Sequence, residues 1–356
     1  MTVNDITTQR LLHQQLIKTS FKQPHEIVSW FGAMQSQDYA SSKWGIGARL
    51  PGLREGSVDK ALLDRSIIRT TAFRGTLHLV AASDLRWMLQ LVAPAVKSRM
   101  AGMNRNLGLD ERQFGKTGRI IAGAMQGGNH LTRKELAALM QDNGVNTAES
   151  RMNHIIYRAA VDGLICNGPM RGKQFTYTLL DEWSPGVAEQ DRETSLAALA
   201  QRYFTSHGPA TVPDFAQWSG LTLTDAKAGL EAASEQLQAR EMNGAIYWMA
   251  PGKRSTARDT ALLLPAFDEY FIGYKDRSTV IDMQHAKKVM TVNGIFNPIM
   301  VRNGQVIGAW KRTLKKDTVS IITGPFKPLT KAGLKAFERA AQQYADFLGL
   351  KLAAFS

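Results

Sequence analysis

Two glutamines, Gln35 and Gln37, stand one residue apart in the stretch AMQSQDYASSKWGIGARL, Ala33 to Leu50. A carboxamide carries an acceptor and two donors and does not ionise near neutral pH, so such a pair can hold a water or meet developing charge but cannot ferry a proton. On an intact helix residues i and i+2 do not share a face. The spacing therefore predicts that a helix ends between them, with Gln35 at or near its end and Gln37 opening a loop. From the residues alone a purely structural reading comes first: Gln37 caps the helix and Gln35 bonds a neighbouring loop. Asp38 suits either orienting a water or an Asx turn before Tyr39. Trp44 reads as a wall of the same site or as buried packing.

Other chemistries lack their signatures. There is no GxxxxGK[ST] phosphate loop, no GxSxG nucleophile elbow and no HExxH pair. GIGARLPG lacks the third spaced glycine and the strand-to-helix setting of a dinucleotide site. Cys166 is the single cysteine, which leaves no disulfide framework, thiolate zinc site or Cys-ligated cluster. No cofactor and no metal are expected. The start MTVNDITTQRLL is unlike a signal peptide, and no stretch approaches the roughly 20 apolar residues of a membrane helix. The expectation is a soluble, cytoplasmic protein.

The elements that must hold these residues recur. From Gly115, a helical segment is followed by LTRKELAALM with Thr132 as N-cap and Glu135 as its capping-box partner. Then comes AESRMNHIIYRAAVDGLI, with Met152, Ile155, Ile156, Ala159 and Ala160 on one face, and a hairpin in CNGPMRGKQFTYTLL. Helix, helix, helix, hairpin is the order of a winged helix. It appears again from Thr194 to Met249, with Pro213 in a first helical turn and a hairpin turned at Asn243-Gly244, and more loosely from Thr8 to Val80. The last hundred residues differ: ALLLPAFDEYFIGY is strongly apolar, a hairpin turns at Asn303-Gly304, and LTKAGLKAFERAAQQYADFL reads as a helix before a final strand. The fold expected is α+β: tandem winged-helix units forming a DNA-embracing scaffold, with a C-terminal α+β cap. The boundaries are 1–112, 113–186, 187–256 and 257–356, the cap starting at ARDTALLL after the loop PGKRSTARD.

With 44 Lys and Arg against 31 Asp and Glu, a net charge of +13 points to a polyanionic partner. Basic residues gather at turns: Arg65, Arg69 and Arg74 around the first hairpin, Arg171 and Lys173 in the second, Lys311, Arg312, Lys315 and Lys316 near the C-terminal one. These are candidates for phosphate contact.

Four stretches carry a family resemblance: GAMQSQDY (Gly32 to Tyr39), FRGTLHLVAASDLRWML (Phe73 to Leu89), LLPAFDEYFIGYKDR (Leu263 to Arg277) and NGIFNPIMVRNGQVIGAWKR (Asn293 to Arg312). Together, and in this order, they make the chain similar to the AlkZ and YcaQ-like DNA glycosylases. The resemblance implies excision of cationic N-alkylpurines, notably N7-alkylguanine, including in interstrand crosslinks, by a monofunctional glycosylase; the expected partner is double-stranded DNA carrying alkylated bases, and the expected state a monomer. It assigns Gln35 and Gln37 to the family's catalytic motif, with Ser36 in place of the more usual apolar middle residue. The chemistry fits amides: a purine that is already cationic before it departs needs no proton donor, only a held water and positioned dipoles. Asp38, Trp44, His78 and Asp268 are supporting candidates. Asp268 and Glu269 lie in an apolar setting, so at least one of them is expected to face a polar network joining the cap to the preceding units. The alternative is a non-catalytic winged-helix DNA-binding or regulatory protein that keeps the array without the chemistry.

Overall fold

The computed structural model describes residues 1–186, 190–252 and 259–356. Helix α1 (Val3–His13) precedes α2 (Pro24–Phe31), strand β1 (Ala33–Gln35), α3 (Tyr39–Gly47), α4 (Glu55–Leu63), β2 (Ile67–Thr71) and β3 (Leu77–Ala81). The strands form an antiparallel sheet in the order β1-β3-β2. Helix α5 (Leu85–Asn106) leads to α6 (Glu111–Met125), β4 (Leu131–Thr132), α7 (Arg133–Asp142), α8 (Arg151–Val161), β5 (Ile165–Asn167) and β6 (Thr176–Leu179), whose sheet order β4-β6-β5 repeats the first. After α9 (Leu180–Trp183) come α10 (Arg192–His207), α11 (Val212–Ser219), α12 (Leu223–Ala233), β7 (Gln238–Met242) and β8 (Ala245–Met249). Here Ala210 bridges Trp248 where the other units have their first strand. The order helix, strand or bridge, helix, helix, strand, strand thus occurs three times. The remainder runs β9 (Ala261–Leu264), α13 (Glu269–Ile272), α14 (Ala286–Val289), β10 (Ile299–Arg302), β11 (Gln305–Leu314), β12 (Thr318–Pro325), α15 (Lys331–Leu348) and β13 (Lys351–Phe355), a sheet ordered β13-β12-β11-β10-β9.

Local chemistry explains several of these elements. Thr132 and Glu135 form the expected capping box at the start of α7. The hairpins turn at Asn243-Gly244 and Asn303-Gly304, where both residues of each pair have positive φ, as a two-residue turn matched to strand twist requires. The expected cap boundary within PGKRSTARD falls largely on residues 253–258, outside the described residues, and the boundary at 186/187 adjoins 187–189, also outside them.

Apolar burial ties the units together unequally. The first and third share one core, in which Leu199, Tyr203 and Phe204 of α10 join Ala33, Phe73 and Met88. The second has its own, built on Phe114, Ile121, Leu136, Met140 and Ile155. Trp44 packs with Trp310, Phe337, Tyr344 and Phe347, fastening α3 to the C-terminal sheet and α15.

One element departs from expectation at the motif itself. Helix α2 stops at Phe31 because Gly32, with φ of 81°, turns the chain out of it. Gln35 therefore ends a strand, not a helix.

Candidate active site

The motif straddles the end of strand β1: Gln35 is its last residue, and Ser36 and Gln37 follow just beyond it. Ser36 continues the ladder through its N–H to the Leu77 carbonyl at 2.7 Å. Its buried hydroxyl meets Ser42 Oγ at 2.8 Å and accepts from Arg69 Nε at 3.1 Å, while Arg69 Nη2 donates to its carbonyl at 3.0 Å. The unusual middle residue of the motif is thus buried and fixed by Ser42 and Arg69. Gln37 is exposed, and its Oε1 accepts a long 3.4 Å bond from the Leu77 N–H.

Gln35 is gripped at both ends. Its side-chain Oε1 accepts from Arg74 Nη2 at 2.8 Å, and its backbone N–H donates to Glu269 Oε1 at 2.8 Å. Arg74 reaches it from a tight turn, Phe73–Gly75, in which Arg74 has φ of 54° and Gly75 of 79°. Gly75 must lack a side chain, because a Cβ there would lie 1.5 Å from the Tyr157 hydroxyl of α8. Burial lowers the Arg74 guanidinium to about 10, which leaves it charged at neutral pH.

Glu269 is the acid at the centre. Its Oε2 accepts from Trp218 Nε1 at 3.0 Å and faces His207 Nε2 at 3.4 Å. Burial pushes this carboxyl up, but the His207 contact, the Gln35 N–H and the Arg74 charge hold it below the ordinary carboxylate range. His207 is itself buried and pulled down by that burial, with its Nδ1 2.8 Å from Ser206 Oγ. His78, paired across the sheet with Gln35, is 1% exposed and pushed down to about 3 by burial and by Arg74. Its Nδ1 lies 2.8 Å from the Thr76 carbonyl and so carries the proton. Neither histidine is placed to act as an acid at neutral pH.

Several expected site residues sit elsewhere. Trp44 is not a wall of the site: it is buried in the core, its Nε1 donating to the Leu263 carbonyl at 2.7 Å. Asp268 touches the narrow cleft beside Gln35, but both its oxygens are taken by Arg49, at 2.8 and 2.9 Å, in a fully buried pair. Its part in the polar network is structural. Asp38 caps α3 by accepting from the Ser41 N–H at 3.0 Å.

The basic residues divide. Arg69 is 6% exposed and spends its guanidinium on Ser36 and on Asn167 Oδ1, so it is not presented to a phosphate. Arg74 is likewise turned inward. Arg65 is exposed with its guanidinium 4.3 Å over the Trp183 ring. Arg171 is exposed but bonded to Glu135 and to the His130 carbonyl, both at 2.6 Å. Lys173 and Lys311 are exposed, and Arg312 is half-buried over Tyr344. Sequence reasoning placed Glu269 only in a network and gave no role to Trp218, His207 or Tyr157. No local signal could have done so, since Glu269 meets Gln35 across 234 residues.

Comparison with known proteins places the chain in a family. The AlkZ-like DNA glycosylases match residues 28–347, and the chain belongs to that family and to its class of enzyme, the hydrolases of N-glycosyl bonds. Among particular proteins, it is similar to the interstrand DNA cross-link repair glycosylase of Streptomyces sahachiroi, 26% identical over an alignment of 344 residues, with 91% of each chain covered. Its fold matches the solved structure of Streptomyces sahachiroi DNA glycosylase AlkZ with a TM-score of 0.84 at 22% identity, over 100% of this chain and 99% of that one. Among the described residues no helix is long and apolar enough to cross a membrane, and no group of three or more His, Cys, Asp and Glu could hold a metal ion.

Proposed function

We propose that this protein is a monofunctional glycosylase that removes cationic N-alkylpurines such as N7-alkylguanine from double-stranded DNA, interstrand crosslinks included, and that it works as a monomer without a cofactor. The three repeated units are read as winged helices that cradle the duplex, with the C-terminal sheet as a cap, over the boundaries 1–112, 113–186, 187–256 and 257–356. Gln37 places the attacking water and Gln35 makes its second contact. The bond from C1′ to the purine nitrogen breaks with its electron pair going to the base, which leaves neutral. The water oxygen bonds to C1′ and its surplus proton passes to solvent.

One observation carries this reading: Gln37 is exposed just past the end of β1 and Gln35 is half-buried at it, while Glu269, His207 and His78 behind them are buried and committed to neighbours and Asp38 is spent on the cap of α3. Such a site cannot protonate a leaving group, so it suits a base that already bears its charge. The similarity to a crosslink repair glycosylase supports the substrate class. The test is incubation with duplex DNA carrying N7-methylguanine or a nitrogen-mustard crosslink, followed by alkali. Strand scission at the lesion is expected from the wild type and not from Gln35→Ala or Gln37→Ala. Equal yields from all three would sink the assignment.

A further inference from the structure

An amide has two unlike ends, and nothing in a Gln-x-Gln motif says which end of each faces the substrate. The surroundings of Gln35 do. A guanidinium can only donate, so the atom 2.8 Å from Arg74 Nη2 must be the carbonyl oxygen of Gln35, and the NH2 group is turned the other way. The Arg74 guanidinium forms no ion pair among the described residues, and its Nη1 is buried with no partner. Leaving a buried donor unmet costs stability, so this arrangement is poorly explained as a stabilising one. Two consecutive positive-φ residues, Arg74 and Gly75, are also needed to bring the guanidinium to Gln35.

The backbone of Gln35 is fixed from the opposite direction. Glu269 arrives from the cap at the start of α13, holds the Gln35 N–H, and is itself held by Trp218 from the third unit. Its negative charge lies close enough to Arg74 to act on it through the low-dielectric interior. That matters because a bare cation behind the amides would oppose the positive charge that builds on the sugar as the base departs.

We propose that Arg74 is a positioning residue that sets the polarity of the Gln35 amide: with its carbonyl held by Arg74, Gln35 presents N–H to the water oxygen, while Glu269 clamps the Gln35 backbone and offsets the guanidinium charge. This rests on the catalytic reading of the two glutamines given above. It replaces a phosphate-binding role for Arg74 with one exerted through Gln35.

Two variants test it on duplex DNA with a single N7-methylguanine, by single-turnover rate at saturating enzyme and by DNA dissociation constant across a salt series. Arg74→Ala frees the Gln35 amide to rotate, and the rate is expected to fall roughly 10- to 100-fold, the scale of loss from a misplaced group. DNA affinity and its salt dependence stay as in the wild type, and Arg74→Lys recovers only part of the rate. Gln35→Glu keeps an acceptor for Arg74 but removes the N–H, and its rate is expected to fall at least as far at pH 7, then recover in part as the pH drops and the carboxyl regains a proton. An Arg74→Ala enzyme with the wild-type rate, or one with weaker, less salt-sensitive binding and an unchanged rate at saturation, overturns the proposal in favour of a phosphate contact. If Arg74→Ala does not fold, Gln35→Glu decides alone, and full activity at pH 7 overturns it. Retained activity in Gln35→Ala and Gln37→Ala would instead defeat the underlying reading of the motif.

Discussion

His78 shows how firmly the sheet behind the amides controls charge. The folded protein holds its imidazole near 3 rather than 6.5. Below 6.5 the unfolded chain therefore takes up a proton that the folded one refuses. Stability is expected to fall as the pH drops from about 6.5 toward 3, by up to ~1.4 kcal/mol per unit for one such group, and urea denaturation of His78→Gln should show a flatter decline. Two other buried residues test structure against chemistry. Trp44→Ala leaves a cavity beside Tyr344 and Phe347 and should cost ~3–5 kcal/mol, while Asp268→Ala strands the buried Arg49 charge at a cost of about 3–5 kcal/mol. Both losses are measurable by denaturation, and the fraction that remains folded should keep its single-turnover rate. At this scale the sequence displayed Gln35 and Gln37 plainly. It could not show what holds them, because Glu269, Trp218 and Arg74 reach the motif through tertiary contacts that no local pattern records.

Among the elements, those with their own start and stop chemistry were legible. Thr132 with Glu135, and the two Asn-Gly turns, specify backbone geometry within four residues. Helix α3 was not legible. Its sequence YASSKWGIG has no polar face, and every residue from Ser41 to Gly47 is buried, so amphipathic spacing had nothing to display. The strand β1 was hidden for a related reason: three residues are too short for alternation to be seen. The cap on α3 is a local test, with Asp38→Ala expected to cost ~1 kcal/mol in a thermal melt. The turn Phe73–Gly75 is a more demanding one. Gly75→Ala places a methyl on the Tyr157 hydroxyl in a backbone region that L side chains avoid, and should lower stability and single-turnover rate together by moving Arg74.

Over the whole molecule, the excess of 13 positive charges acts through its exposed members. Replacing Lys173 or Lys311, if each meets a phosphate, should reduce the slope of log affinity against log salt by ~0.9 apiece, as fluorescence anisotropy can show. Arg69, sealed against Ser36 and Asn167, should leave that slope alone. The order of the units along the chain is not their order in space: the third packs on the first, and the cap sends Glu269 into the seam between them. Neither half of the polypeptide therefore owns the grip on Gln35. A fragment ending between the second and third units keeps Gln35 and Arg74 but loses Trp218 and Glu269, and should be inert in base excision.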